Sequence, residues 1–250
     1  MSIQELAPRG VWQYFYQITQ IPRPSHQEEK IQQYILDEAA RLGLPAERDA
    51  RGNIRVCKAG SAGRENEPGV ILQAHLDMVA QKNSDTVHDF SKDPIRTVVK
   101  GDWVHADGTT LGADNGIGVA MILAVLADPN LSHPPLEGLF TASEEVGLEG
   151  ALAVQPGWLQ GDILLNLDYE EEGELCIGCA GAVNGDYTLP LQYEALDGQG
   201  YQLRVRGLKG GHSGVEIHLQ RGNAIKILAR ALQTLHEDKD YALKIAGITA

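Results

Sequence analysis

Three short, nearly continuous apolar runs lie along this chain, and a segment of helical character separates the first run from the second. The runs cover residues 70–74, 136–141 and 162–167, and such runs are typical of strands buried on both faces of a parallel sheet. Residues 116–127 are apolar and small, which predicts a helix packed closely against that sheet. With a weaker strand at 53–57, the alternation predicts an α/β fold: a mostly parallel sheet flanked by helices.

The pattern changes near Gly181. Residues 201–206 alternate between polar and apolar side chains, residues 223–235 have helical periodicity, and 241–250 resemble another strand. We therefore predict a large α/β domain at 1–185 and the start of an α+β domain at 186–250. The second part contains too few elements for a complete domain.

A helix is also predicted before the first strand. Ser25-His-Gln-Glu28 matches the capping-box pattern, in which the first and fourth side chains satisfy backbone N–H groups at a helix start. The helix should run through Leu42 and stop at Gly43. We interpret Ser25 and Glu28 as purely structural.

Composition excludes several function classes. The 250 residues have a net charge of −13, which repels phosphate backbones and anionic lipid, so neither nucleic acid nor membrane is an expected partner. No stretch approaches the roughly 18 to 20 apolar residues that span a bilayer. Three cysteines, Cys57, Cys176 and Cys179, are too few for a disulfide framework and favour a reducing cytoplasm.

Histidine and carboxylate side chains follow the predicted strands at the point where each strand ends. They are His75 and Asp77, Glu144 and Glu145, and Asp168, while Asp114 lies at the start of the apolar helix. Functional groups in open α/β sheets gather at the carboxyl ends of the strands. We expect these side chains to meet at one edge of the sheet.

Each of these residues also has an ordinary structural interpretation. His75 alone is as well explained as a core histidine bonded to a carbonyl, and Asp114 alone is better explained as a helix N-cap. Glu144 and Glu145 are harder to explain this way, because neighbouring carboxylates in an apolar setting repel unless a cation offsets them. For both to act at one site they must lie on a turn, since adjacent strand residues point to opposite faces.

The donor types favour a transition metal. Histidine combined with several carboxylates suits Zn²⁺, with Mn²⁺ or Co²⁺ as alternatives, better than the all-oxygen sites of Ca²⁺ or Mg²⁺. Asp77, two residues after His75, can accept the second imidazole N–H and leave the other nitrogen for metal.

The ordered motifs resemble those of the co-catalytic zinc peptidases related to aminoacylase and carboxypeptidase G, and within that family its dipeptidases. The motifs are His75-Leu-Asp77, Gly112-Ala-Asp-Asn115, Glu144-Glu145, Asp168 and Gly210-Gly-His-Ser-Gly214. The resemblance runs from about Pro8 to the last residue. It implies a zinc aminopeptidase-like catalytic domain at 1–185 and part of a lid domain at 186–250.

The resemblance also implies roles. One zinc takes His75 and Asp168, the other takes Glu145, and Asp114 bridges them ahead of a cis peptide bond. Asp77 orients His75, Glu144 is the general base, and His212 in the lid helps to hold the oxyanion or the substrate. The implied substrates are Xaa-His dipeptides such as β-alanyl-histidine.

The chain departs from this family in length. Family members are nearly twice as long, and a later segment returns to the catalytic domain with a histidine for the second zinc. Either these residues belong to a longer enzyme, a cytoplasmic homodimer with two zinc ions per protomer, or the chain alone holds the second metal through Asp114 and Glu145. We favour the longer enzyme. The rival hypotheses are a metal-binding piece without activity and a related aminopeptidase or N-acyl amino acid amidohydrolase.

Overall fold

Every apolar run predicted to be a strand forms one in the computed structural model, which describes residues 2–178, 185–195, 197–211, 216–238 and 244–247. The chain divides into two compact units, Met1–Glu174 and Leu175–Ala250. That 1–185 is a catalytic domain and 186–250 part of a lid stays a prediction.

The first unit contains four helices and seven strands among its described residues. The helices are α1 (Arg9–Thr19), α2 (Glu29–Arg41), α3 (Ala113–Ala127) and α4 (Glu149–Ala153), after a short 3-10 turn at Ile3–Glu5. The strands are β1 (Ala46–Arg48), β2 (Ile54–Lys58), β3 (Val70–His75), β4 (Thr97–Lys100), β5 (Trp103–Ala106), β6 (Leu136–Thr141) and β7 (Ile163–Asn166).

Five strands form one mixed sheet in the order β1-β2-β6-β3-β7. Strand β3 pairs in parallel with both β6 and β7, while β2 is antiparallel to β6 and β1 to β2. The α/β class with flanking helices is therefore confirmed, and the sheet is parallel in the half that carries the predicted site residues. Strands β4 and β5 form a separate antiparallel hairpin.

The register aligns the carboxyl ends of the three parallel strands. His75 at the end of β3 pairs with Thr141 at the end of β6, and Gln73 pairs with Asn166 at the end of β7. Residues that follow these strands therefore leave the sheet side by side. This alignment brings the predicted site residues together.

The core lies where α3 packs on the sheet. Ile122 and Leu123 of α3 and Phe140 of β6 are all fully or almost fully buried. Gly138 of β6 permits this close approach, because a Cβ atom there would lie 2.9 Å from the Ile122 Cγ2 atom. The apolar helix thus packs closely against the sheet, as predicted, and a glycine of the strand provides the space.

The capping-box interpretation of Ser25 and Glu28 is wrong. Helix α2 begins at Glu29, and the Glu28 side chain makes no capping hydrogen bond. The Ser25 hydroxyl instead donates to Asp77 Oδ2 at 2.7 Å. The predicted end of the helix is correct: Leu42 is the C-cap, and Gly43 follows with a φ of 69°.

The second unit contains a short 3-10 turn at Ile217–Leu219 and α5 (Ala224–Glu237) among its described residues. Helix α5 confirms the predicted helix, and the Asn223 side chain caps it by accepting from the Lys226 N–H at 2.9 Å. Residues 201–206 form no strand, because within the described chain they have no paired neighbour. Only 244–247 of the last predicted strand are described, and these four residues form no strand.

None of the helices in the described parts of the chain combines the length and apolar character needed to cross a bilayer.

Replacing Ile122 by Ala should lower the free energy of unfolding by about 2–5 kcal/mol, because the lost side chain leaves a cavity between α3 and the sheet. Met121, its neighbour on the exposed side of α3 (42% exposed), is the matched control. Met121→Ala should change stability by no more than about 0.5 kcal/mol. Urea unfolding followed by circular dichroism measures both, and equal effects would contradict this packing.

Candidate metal centre

Three parallel strands and one helix bring one imidazole and several carboxylates to the same edge of the sheet. His75 ends β3, Glu144 and Glu145 follow β6, Asp168 follows β7, and Asp114 comes from the start of α3. The structure thus brings together the four predicted metal ligands and the predicted base. Of the two other predicted site residues, Asp77 lies beside His75, and His212 lies outside the described residues.

His75 is held from one side by Asp77. The imidazole is 1% exposed, and its Nδ1 lies 3.2 Å from Asp77 Oδ1 and 3.1 Å from the Asp77 carbonyl oxygen. Both neighbours are acceptors, so Nδ1 carries a proton and donates. This geometry leaves Nε2 directed at the other carboxylates, as a metal-binding histidine requires.

The Nε2 atom of His75 faces three carboxylates. It lies 2.9 Å from Asp114 Oδ1, 3.7 Å from Asp168 Oδ1 and 3.9 Å from Glu144 Oε2. Two sets of donor atoms lie within 4.8 Å of one another: His75 with Asp114 and Asp168, and His75 with Glu144 and Glu145. Each set offers one nitrogen and two carboxylates, a donor combination that fits Zn²⁺, Mn²⁺ or Co²⁺.

Crowded negative charge disturbs the protonation of this site. Burial lowers the pKa of His75, but hydrogen bonds to Asp114 and Asp77 outweigh burial and raise the pKa to about 10. Burial raises the pKa of Asp168 to about 7, opposed by the His75 charge and helped by Asp114 and Glu144. Burial, with Asp114, also raises the pKa of Glu145. Protons here do what bound cations would do, which is to offset the carboxylate charge.

Asp77 remains ionised and has two tasks. Burial raises its pKa, but hydrogen bonds from His75, Ser25 and the Glu144 N–H bring the pKa to about 2. Its Oδ1 accepts from the Glu144 N–H at 2.9 Å and its Oδ2 from the Glu145 N–H at 3.2 Å. Asp77 therefore orients the imidazole and also fixes the turn that carries both glutamates.

Asp114 is not a helix cap. The N-cap of α3 is Gly112, which makes no side-chain capping bond, and Asp114 and Asn115 have non-helical dihedral angles inside the first turn. The Asp114–Asn115 peptide bond is cis, as the resemblance implied. The Asp114 side chain points instead to His75.

Arg23 supports the site and was not predicted. Its guanidinium is fully buried and donates to the carbonyl oxygens of Leu76 and Asp77, both at 2.8 Å, and to that of Gly112. It therefore joins the end of β3 to the start of α3, the two segments that carry His75 and Asp114. Burial lowers the pKa of Arg23 to about 10, against the charges of Asp77, Asp114 and Glu145, so it remains a cation at neutral pH.

Two glycines of the Gly112-Ala-Asp-Asn-Gly116 motif make room for Arg23. A Cβ atom on either Gly112 or Gly116 would lie 2.6 Å from Arg23 Nη2. Gly112 also has a φ of 69°, which L-residues with side chains rarely adopt. The glycines belong to a motif that the sequence shows, but no sequence pattern connects Arg23 with the site. Arg23 lies about ninety residues earlier, between two prolines.

A helix-flanked sheet that gathers one oriented imidazole and four carboxylates at its carboxyl edge has the features of a metallopeptidase domain. The comparison with known proteins agrees. Residues 71–248 match the model of peptidase family M20/M25/M40, and the chain belongs to this family.

Related proteins are longer than this chain. It is 52% identical over 244 residues to the cytosol non-specific dipeptidase of Escherichia coli, and the match covers 97% of this chain and 50% of that protein. The crystal structure of aminoacylhistidine dipeptidase from Vibrio alginolyticus superposes with a TM-score of 0.71 at 44% identity, covering 94% of this chain and 49% of that one. A Staphylococcus aureus tripeptidase shares the fold, with a TM-score of 0.55 at 23% identity over 65% of this chain. The chain thus spans about half the length of the first two relatives.

Replacing Arg23 by Met should lower the free energy of unfolding of the metal-free protein by about 3 kcal/mol or more, because three buried carbonyl groups lose a charged donor. Arg23→Lys should lower the free energy of unfolding less, since an ammonium keeps the charge but not the planar geometry of the guanidinium. The exposed Arg9, changed to Met, is the control and should be near neutral. Thermal or urea unfolding without metal compares the three, and a neutral Arg23→Met would contradict the linking role.

Proposed function

We propose that this chain forms most of the active site of a zinc-dependent dipeptidase that hydrolyses Xaa-His dipeptides such as β-alanyl-histidine. The observation that carries the proposal is the convergence of His75, Asp114, Glu144, Glu145 and Asp168 at one edge of the sheet. The dipeptidase names of the E. coli and V. alginolyticus relatives support the substrate class.

The proposed ligand assignment follows the two donor sets. In this assignment His75 and Asp168 would hold one zinc, Glu145 would hold the other, and Asp114 would be shared between them. Asp114 is well placed to bridge because it is 45% exposed and its Oδ1 lies beside His75 Nε2. A further ligand for the second zinc would come from outside these 250 residues, which is consistent with relatives twice as long.

In the proposed reaction, Glu144 moves the proton. Bound zinc ions would acidify a water molecule and polarise the scissile carbonyl. Glu144 takes a proton from the attacking water, the water oxygen bonds to the carbonyl carbon, and Glu144 returns the proton to the leaving amine as the C–N bond breaks. Asp77 keeps His75 in the tautomer that presents Nε2, and His212 of the predicted lid helps to hold the oxyanion or the substrate.

The remaining parts of the proposal concern the whole protein. A cytoplasmic location is consistent with the cytosolic relative from E. coli. A homodimer is proposed from the family resemblance. The charge of −13 supports a peptide substrate over nucleic acid or anionic membrane as a partner.

Changing Glu144 to Gln should leave zinc binding intact and lower kcat by about 10²- to 10⁴-fold, because a proton acceptor is lost while the side chain keeps its shape. Glu171, in the exposed acidic loop after Asp168, gives the control Glu171→Gln with unchanged activity. Zinc content by atomic emission is measured beside kcat. Loss of zinc in Glu144→Gln would instead make Glu144 a ligand, as its donor set with His75 and Glu145 also allows.

The full-length product of the gene that encodes this chain should hydrolyse β-alanyl-histidine, lose this activity to a chelator and regain it with zinc. A panel of Xaa-His dipeptides, other dipeptides, tripeptides and N-acyl amino acids tests the substrate class by amine release. Equal rates on all dipeptides would contradict the proposed preference for Xaa-His dipeptides. Turnover of tripeptides alone would indicate an aminopeptidase, and turnover of N-acyl amino acids alone would indicate an amidohydrolase. If the zinc-loaded protein cleaves none of these substrates, the result would indicate a metal-binding protein without this activity.

A further inference from the structure

The turn that carries Glu144 and Glu145 is held by side chains that come from distant parts of the chain. Four successive backbone N–H groups, from Ala142 to Glu145, each donate to a buried side chain. The bonds run from Ala142 to Asn53 Oδ1 (3.0 Å), Ser143 to Glu28 Oε1 (2.9 Å), Glu144 to Asp77 Oδ1 (2.9 Å) and Glu145 to Asp77 Oδ2 (3.2 Å).

Glu28 holds Ser143 through two hydrogen bonds. Its side chain is buried, with the residue 4% exposed, and Oε1 accepts from both the N–H and the hydroxyl of Ser143, at 2.9 and 2.7 Å. A buried carboxylate is costly unless hydrogen bonds compensate it. Glu28 does not use its carboxylate to cap α2, although it stands at the N-cap position. The Glu28 carboxylate therefore stabilises the turn after β6 and not the start of α2.

The conformation of Ser143 shows what these bonds maintain. Its φ is 51°, in the left-handed region that residues other than glycine rarely occupy. Had β6 continued as an extended strand, Glu144 and Glu145 would point to opposite faces. The turn after Ser143 instead places both carboxylates within 4.8 Å of the His75 imidazole.

We propose that Glu28 is a positioning residue for the base Glu144 and the ligand Glu145, acting through Ser143. The Glu28 carboxylate accepts its hydrogen bonds from Ser143, and Glu28 belongs to neither set of candidate metal-binding residues. The inference rests on the proposed function, since it presumes that Glu144 moves a proton at this site. A misplacement of about 1 Å can reduce turnover about 100-fold, so small movements of this turn matter.

The test compares Glu28→Ala, Glu28→Gln and the control Glu29→Ala in the zinc-loaded full-length protein. Glu29 is exposed and adjacent, so its loss should leave activity unchanged. Glu28→Ala should lower kcat about 10- to 100-fold with zinc content retained. Its KM should stay within about twofold, since the substrate contacts remain. Glu28→Gln should recover most of the activity, because the amide oxygen can still accept both bonds from Ser143.

A second measurement does not require turnover. Cobalt replaces zinc, and its visible absorption reports the geometry of the ligands, among them Glu145 on the same turn. The spectrum should change in Glu28→Ala and return in Glu28→Gln. If the wild-type protein cleaves no dipeptide, the proposed function fails while the cobalt spectra still test the positioning.

Wild-type kcat and an unchanged cobalt spectrum in folded Glu28→Ala would overturn the proposal. A loss of activity that Glu28→Gln does not restore would also overturn it, since the acceptor oxygen would then not be the cause. If Glu28→Ala does not fold, Ser143→Ala decides the question, because it removes only the hydroxyl bond to Glu28. That variant should lose kcat about 3- to 10-fold with zinc bound, and an unchanged kcat would count against the positioning role.

Discussion

The crowding of carboxylates around one buried imidazole is the constraint on which the rest of this structure depends. Asp114, Glu144 and Asp168 lie within 4 Å of His75 Nε2, and Asp77 holds the other nitrogen. Like charges at such distances repel, and burial strengthens the repulsion. The site can therefore form only where other interactions fix the backbone and where protons or cations offset the charge.

The loop ahead of α2 supplies much of that support. Arg23 donates to carbonyl groups at the end of β3 and the start of α3, Ser25 donates to Asp77, and Glu28 accepts from Ser143. Together these contacts fix three segments that carry site residues: the end of β3, the start of α3 and the turn after β6. None of the three side chains belongs to the predicted donor set. Arg23 adds a buried positive charge that, together with protonated His75, opposes the carboxylates when metal is absent. A short loop thus stabilises an arrangement that the donors alone would disfavour.

Sequence patterns could predict the sheet and the donors because both follow from local rules. Apolar runs identify the strands β3, β6 and β7, and the parallel register then carries His75, Glu145 and Asp168 to one edge. The supporting loop could not be predicted in this way. Ser25 and Glu28 have the spacing of a capping box, but the partner of Glu28 lies 115 residues away in sequence. A local pattern cannot distinguish a nearby partner from a distant one that the fold brings into contact.

The second unit shows the same distinction between local and distant partners. Helix α5 was predictable because its backbone bonds are internal and Asn223 caps it from within the segment. The alternating residues 201–206 required a neighbouring strand, and the described chain provides none. An alternating pattern shows only which side chains would share a face of a strand. Whether the segment forms a strand also depends on a neighbouring strand with which it can pair. The same reasoning explains why β7 is a strand despite its exposure: β3 pairs with it, and that pairing sets the position of Asp168.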